Sequence, residues 1–313
     1  MHDDNLPAGL PEEPPSEHAE PARESAPSAD SVPVAPIPGD PIEYAASVPL
    51  QPKPPAPTLP EDLRISWSWV HLLLFLVFAV ASFVVVQTAL AIYYAPPQMQ
   101  HLTQKQVQEY FLSKPQFLFG SNVLWYATIF LFLYVTLAVL RELPFWRSLG
   151  WRPLKPNPKT GKTGPWIFFL LGCGLSILVA IAGSQVHSNE NIPIQELFKN
   201  RTNAFLLMGM AVLIAPLFEE TIFRGYLYPL FAKSFGVLPS VLLTGLLFGL
   251  LHGSQLGWTW GIVLLLIVVG VVLTYVRART GTVFASFLVH LGYNSMIAVT
   301  SIVSTHGFTK LTP

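Results

Sequence analysis

The distribution of apolar residues divides the chain near residue 63. Beyond it, seven stretches are almost continuously apolar: 67–94, 117–140, 165–184, 204–223, 239–256, 258–276 and 282–304. Each approaches the ~20 residues that a helix needs to cross the hydrocarbon of a bilayer. None shows strand-like alternation, and an open sheet cannot satisfy its backbone in lipid. The pattern predicts an all-α polytopic transmembrane bundle of about seven or eight spans. The 95–116 connection predicts a short interfacial helix, and an extra half-span there would raise the count to eight. No repeat of fixed period occurs.

Composition supports this reading. The chain is 51% hydrophobic and 12% charged, against about 25% charged in an ordinary soluble domain. The charge is also unevenly spread. Residues 1–62 hold twelve of the eighteen acids and sixteen prolines, whereas residues 63–313 hold sixteen Lys and Arg, six Glu and no Asp. The first segment cannot bury enough surface to fold alone and reads as a disordered, partly polyproline-like tail. It is a spacer, or a docking segment for a partner with an aromatic-lined groove. Three regions follow from this: the tail at 1–62, N-terminal transmembrane helices at 63–203 and core helices at 204–305. Residues 1–20 lack the apolar core of a cleavable signal. The single cysteine, Cys173, lies in an apolar run and reads as a small packing residue.

Loop charge sets orientation. Arg141, Arg147, Arg152, Lys155, Lys159 and Lys162 fall in one connection, which places it in the cytoplasm. The N-terminus is then cytoplasmic and the C-terminus outside, with thirteen basic residues inside and five outside. The expected location is an integral protein of a bacterial inner membrane.

Ionisable residues inside spans cost roughly 2.5–3.5 kcal/mol each on insertion scales and persist where they face a cavity or a partner. Here they are few. Glu219 and Glu220 end the fourth apolar stretch, in PLFEETIFRGYLYP. His252 lies in LLFGLLHGSQ, and His290 with Asn294 in FASFLVHLGYNS. His71, near the start of the first span, reads as interfacial. A spacing of four puts Glu220 with Arg224, Phe248 with His252 and His290 with Asn294 on common helix faces. Glu219 points about 100° away from Glu220. Pro216 bends the helix or frees a carbonyl. A carboxylate and an imidazole can together activate a water, and His and Asn can donate to a developing oxyanion. Taken singly, each of these residues has a plain reading as an interfacial charge, a packing histidine or a helix-bridging hydrogen bond. Three neighbouring spans that all carry them point to a site. No H-E-x-x-H and no G-x-S-x-G occurs, and no Asp follows Asp62 to form an aspartyl pair. Two His with Glu219 or Glu220 could ligate a metal, but the spacing matches no metal motif, so no metal and no cofactor is expected.

The three motifs E-E-x-x-x-R (Glu219, Glu220, Arg224), F-x-x-x-H (Phe248, His252) and H-x-x-x-N (His290, Asn294) resemble those of the CPBP family. That family comprises CAAX-processing type II proteases and bacteriocin-processing or immunity proteins, and is also called the Abi family of glutamic intramembrane proteases. The resemblance covers about 204–305. It implies a helical membrane bundle with a cytoplasm-facing cavity and an intramembrane endopeptidase that uses Glu/His-activated water. Glu219 would be the general base with His252, and His290 and Asn294 the oxyanion site. Glu220 and Arg224 would support and orient them, with Phe248 on the His252 face. Expected partners are a membrane-associated protein or peptide substrate and the lipid bilayer, with no nucleic acid. Two other readings are a non-catalytic immunity or scaffold protein, and a proton-coupled transporter with the buried Glu and His as relay. The transporter reading would need charges in the first three spans, which hold almost none.

Overall fold

The computed structural model describes residues 60–156, 161, 164–186 and 200–309. Among these every regular element is helical. The tail at 1–59 lies outside the described residues. The helices are α1 (Trp69–Tyr94), α2 (Gln104–Leu112), α3 (Pro115–Leu133), α4 (Phe145–Ser148), α5 (Pro165–Gly183), α6 (Arg201–Gly209), α7 (Ala215–Glu220), α8 (Tyr228–Phe235), α9 (Val237–Leu251), α10 (Trp260–Thr280) and α11 (Val283–Ser304). A π-helical segment, Tyr134–Val139, extends α3, and two more join α6, α7 and α8 into one run, Arg201–Phe235.

Six of these runs are long and apolar enough to cross a membrane: Trp69–Tyr94, Pro115–Val139, Pro165–Gly183, Arg201–Phe235, Trp260–Thr280 and Val283–Ser304. They mark an integral membrane protein. Two expectations change. The fourth apolar run does not end at 223 but continues to Phe235, where Gly236 (φ 82) stops it. The fifth, expected at 239–256, is the 15-residue α9, about 22 Å long against a hydrocarbon core of about 30 Å. Its sequence stays apolar to Leu251, but His252 and Gly253 end the helix in a turn that continues to Trp258. A helix does form in the 95–116 connection: α2, capped by a reciprocal Thr103–Gln106 box.

Tertiary contact is closest where glycines remove side chains. Gly172 of α5 lies against the Val289 carbonyl of α11, and Gly292 of α11 against the Phe169 carbonyl of α5. Gly245 and Gly249 of α9 meet Val271 and Ile267 of α10. In the membrane, where lipid tails are as apolar as Leu, such small-residue seams let backbones approach and gain van der Waals contact. The largest buried cluster includes Trp67, Phe75, Leu133, Leu149, Phe223, Tyr226, Phe231 and Phe248. It seals one end of the bundle.

Two polar groups behave differently from the sequence expectation. His71 is buried rather than interfacial, with Nδ1 2.6 Å from the Tyr226 hydroxyl. Pro60, Glu61 and Asp62, assigned to the tail, belong to the folded body. Glu61–Leu63 forms a 3-10 turn, and Arg277, fully buried, donates to Asp62 Oδ2 at 2.9 Å. Glu61 meets Arg147 at 3.3 Å and Arg152 at 3.2 Å. The hydrogen bond from Arg147 and then the charge of Arg152 hold the exposed Glu61 carboxyl below the ordinary carboxylate range.

Candidate functional site

The Arg201–Phe235 run carries two π segments, Met210–Ile214 and Thr221–Leu227, on either side of α7. Their sequence logic is the same. Ala215 N–H reaches the Met210 carbonyl and Tyr228 N–H reaches the Phe223 carbonyl, each five residues back. The next residue in each case is proline, Pro216 or Pro229. In this register Pro216 would serve Ala211, but it has no N–H to give. The Ala211 carbonyl is thereby released from the helix, and Asn294 Nδ2 of α11 donates to it at 2.7 Å. Pro216 thus frees a carbonyl, and that carbonyl ties α11 to the run carrying Glu219 and Glu220.

The two glutamates then separate. Glu220 is fully buried and sits in a charged network. Its Oε1 accepts from Arg224 Nη1 at 2.9 Å and lies 2.9 Å from His290 Nδ1. Arg224, also fully buried, donates through Nε to Thr274 Oγ1 at 3.3 Å and through Nη2 to the Gly270 carbonyl at 2.9 Å. Its guanidinium carbon stands 4.6 Å from the centre of the Phe248 ring. That ring also lies 4.7 Å from the His252 ring and 5.8 Å from the His290 ring. Phe248 therefore packs against three of the polar side chains at once. Burying an ion pair is tolerable only with such geometry and with its remaining donors satisfied.

Glu219, by contrast, faces a cavity of about 480 Å³ together with His252, His290 and Asn294. Its side chain is 18% exposed. One carboxylate oxygen lies 3.9 Å from His252 Nε2 and the other 3.8 Å from His290 Nε2. Both distances exceed a direct hydrogen bond, a spacing at which a water often bridges. The tautomers follow from the partners. His252 Nδ1 lies 2.7 Å from the Phe248 carbonyl, which can only accept, so Nδ1 carries the proton. His290 Nδ1 likewise donates to the Glu220 carboxylate. In each neutral ring Nε2 therefore bears the lone pair and faces Glu219.

The structure thus brings all seven sequence-derived residues together: Glu219, His252, His290 and Asn294 at the cavity, and Glu220, Arg224 and Phe248 behind it. It also adds residues that the sequence reading missed. Asn122 and Tyr126 of α3 and Gln255 of the turn line the same cavity, and the Tyr126 ring stacks on Phe218 at 4.6 Å. The four-residue spacing of Asn122 and Tyr126 was a readable signal, two polar groups on one face of a span. Thr274, under Arg224, had no such signal among the apolar residues of α10. Among the described residues no group of three or more His, Cys, Asp or Glu has the geometry to hold a metal ion.

Residues 201–296 match the family described as type II CAAX prenyl endopeptidase Rce1-like. This part of the chain resembles that family. The matched segment contains every one of the seven motif residues, from Glu219 to Asn294, and is consistent with the CPBP, or CAAX protease, family. It supports a CAAX-protease-like intramembrane endopeptidase, hence a hydrolase. No curated protein and no solved structure matches the chain.

The cavity has a definite direction. Its lining reaches Leu112 of α2, the first turns of α3, Leu207 of α6 and Gln255 and Leu256 beyond α9. These lie at the bundle end that carries the 95–114 connection and the 252–259 turn. At the opposite end Glu220, Thr221 and Arg224 are fully buried, and Trp67, Tyr226 and Leu149 close the bundle beneath them. That closed end carries the connection with Arg141, Arg147 and Arg152. The cavity lining thus extends away from the end that carries the basic connections.

Proposed function

We propose that the protein is a glutamic intramembrane endopeptidase that hydrolyses a peptide bond with a water held between Glu219, His252 and His290. The observation that supports this most is the convergence of both imidazole Nε2 atoms on the two oxygens of Glu219 inside a membrane-embedded cavity. Glu219 accepts a proton from the water as the water oxygen bonds to the scissile carbonyl carbon, and His252 orients the same water through Nε2. The carbonyl π pair moves onto oxygen. That oxyanion meets the second N–H of Asn294, whose first is taken by Ala211, on the side of the cavity where His290 stands. Collapse breaks the C–N bond, and Glu219 returns its proton to the leaving nitrogen. Glu220 and Arg224 do not touch the reacting atoms in this scheme. They fix the tautomer and direction of His290 from below, as outer-shell partners of a catalytic histidine do. The substrate is a membrane-associated protein or peptide.

The test uses detergent-solubilised full chain and an internally quenched peptide ending in a prenylated CAAX sequence, the chemistry named by the matched family. Glu219→Gln and His252→Ala are expected to abolish cleavage while keeping the wild-type melting temperature. Cleavage is expected to survive a metal chelator. If the variants melt early, the motif residues serve packing, as the scaffold reading holds. If they cleave normally, the mechanism fails.

A further inference from the structure

We infer that this site is reached from the membrane face opposite the basic loops, so that its substrate is a peptide segment exposed on the non-cytoplasmic side. This rests on the endopeptidase reading and adds to it the location and class of substrate.

Three observations carry it. The first is the course of the cavity. It runs from Glu219, near the middle of the 35-residue run Arg201–Phe235, toward Gln255, whose side chain is exposed. Below Glu219 lie Glu220, Thr221 and Arg224 without solvent contact, then the Trp67–Tyr226 stack with ring centres 5.4 Å apart, then the buried Arg277–Asp62 pair.

The second is the short α9. Gly245 faces Val271 and Gly249 faces Ile267 in the antiparallel α9–α10 pair. That register puts His252 level with Leu264, so α10 continues for Trp260–Val263, about one turn or roughly 6 Å, past the end of α9. The 252–259 turn occupies this gap. Irregular backbone at membrane depth persists where it is buried in protein or lines water, and here it lines the mouth of the cavity. Trp258 and Trp260 stand exposed beside it, the placement of a membrane-interface belt.

The third is charge. The closed end carries Arg64, Arg141, Arg147, Arg152, Lys155, Lys233, Arg277 and Arg279, and the mouth end Lys105, Lys114 and Arg201. Short basic connections stay on the cytoplasmic side during insertion. The closed end is therefore inside, and the mouth opens outside. A cavity walled by Leu118, Phe119, Leu207 and Leu266 with a few polar groups at depth suits the juxtamembrane stretch of a membrane-anchored chain on that side.

Sidedness can be measured without any proteolysis. In full-length Cys173→Ala protein, single thiols are placed at the mouth (Gln255→Cys and, on α2, Lys105→Cys) and in the basic connection (Lys155→Cys). Spheroplasts of a bacterial host are then treated with a membrane-impermeant maleimide. Labelling of a mouth thiol on intact spheroplasts, with Lys155→Cys labelled only after permeabilisation, is the expected result. Mouth thiols that require permeabilisation, or a Lys155→Cys thiol labelled on intact spheroplasts, would overturn the inference. The Glu219→Gln assay in detergent, where both faces are accessible, decides the endopeptidase reading separately.

Discussion

At the Glu219–Glu220 pair, the rotation of about 100° per helical residue sends two identical carboxyl groups to different surroundings. Glu220 is an internal ion, held by Arg224 and His290, and Glu219 faces water-accessible space. Removing one partner of a buried pair strands the other, at about 3–5 kcal/mol. Glu220→Ala and Arg224→Ala should each destabilise by about that much in chemical unfolding from detergent. The double variant should lose much less than the sum, because no orphan charge remains. At Asn294 the cost is an unpaired carbonyl, about 1–3 kcal/mol. Asn294→Ala should therefore melt early as well as lose activity. Pro216→Ala returns an N–H at the position that serves Ala211, and in the Asn294→Ala background it should restore part of the lost stability. Additive melting shifts would show that the freed carbonyl is not what binds Asn294.

At the scale of elements, the long run behaves as a helix twice opened. Each π segment precedes a proline, and α7, between them, presents Glu219 to the cavity and Glu220 to Arg224. π turns often mark functional sites because the wider ring releases backbone groups and re-aims side chains. The α5–α11 seam works by close approach. A Cβ on Gly292 would run into the backbone of Phe169, and backbone cannot rotate aside as a side chain can. Gly292→Ala should force the helices apart at about 1–3 kcal/mol or more, read as a lower melting temperature. Because His290 and Asn294 ride on α11, the same variant should also lower kcat more than Gly174→Ala, where a Cβ meets nothing within 4 Å.

At the scale of the whole molecule, the closed end is held by ions and aromatic stacking. Asp62→Asn leaves Arg277 buried with a neutral partner and should cost about 3 kcal/mol or more. The exposed Glu61 acts differently. Its pKa is lowered in the fold by Arg147 first, so its contribution is present above the ordinary carboxylate range and is lost as pH falls through it. Glu61→Gln should flatten the acid side of the stability–pH curve slightly, since exposed pairs are weak.

The sequence by itself determined the membrane bundle, the helix α2 and the shared helix faces of the motif pairs, because apolar length and four-residue spacing are local properties of a chain in lipid. It also fixed the excess of basic charge at one end. Only the tertiary structure decided where polar groups meet and where the cavity opens. The end of α9 at His252 and the burial of Arg277 on Asp62 depend on neighbours far away in sequence. Asp62 and Arg277 are 215 residues apart, and no local pattern encodes such a pairing. The direction of the cavity is likewise a property of packed side chains from α2, α3 and the turn after His252, residues outside the three motifs.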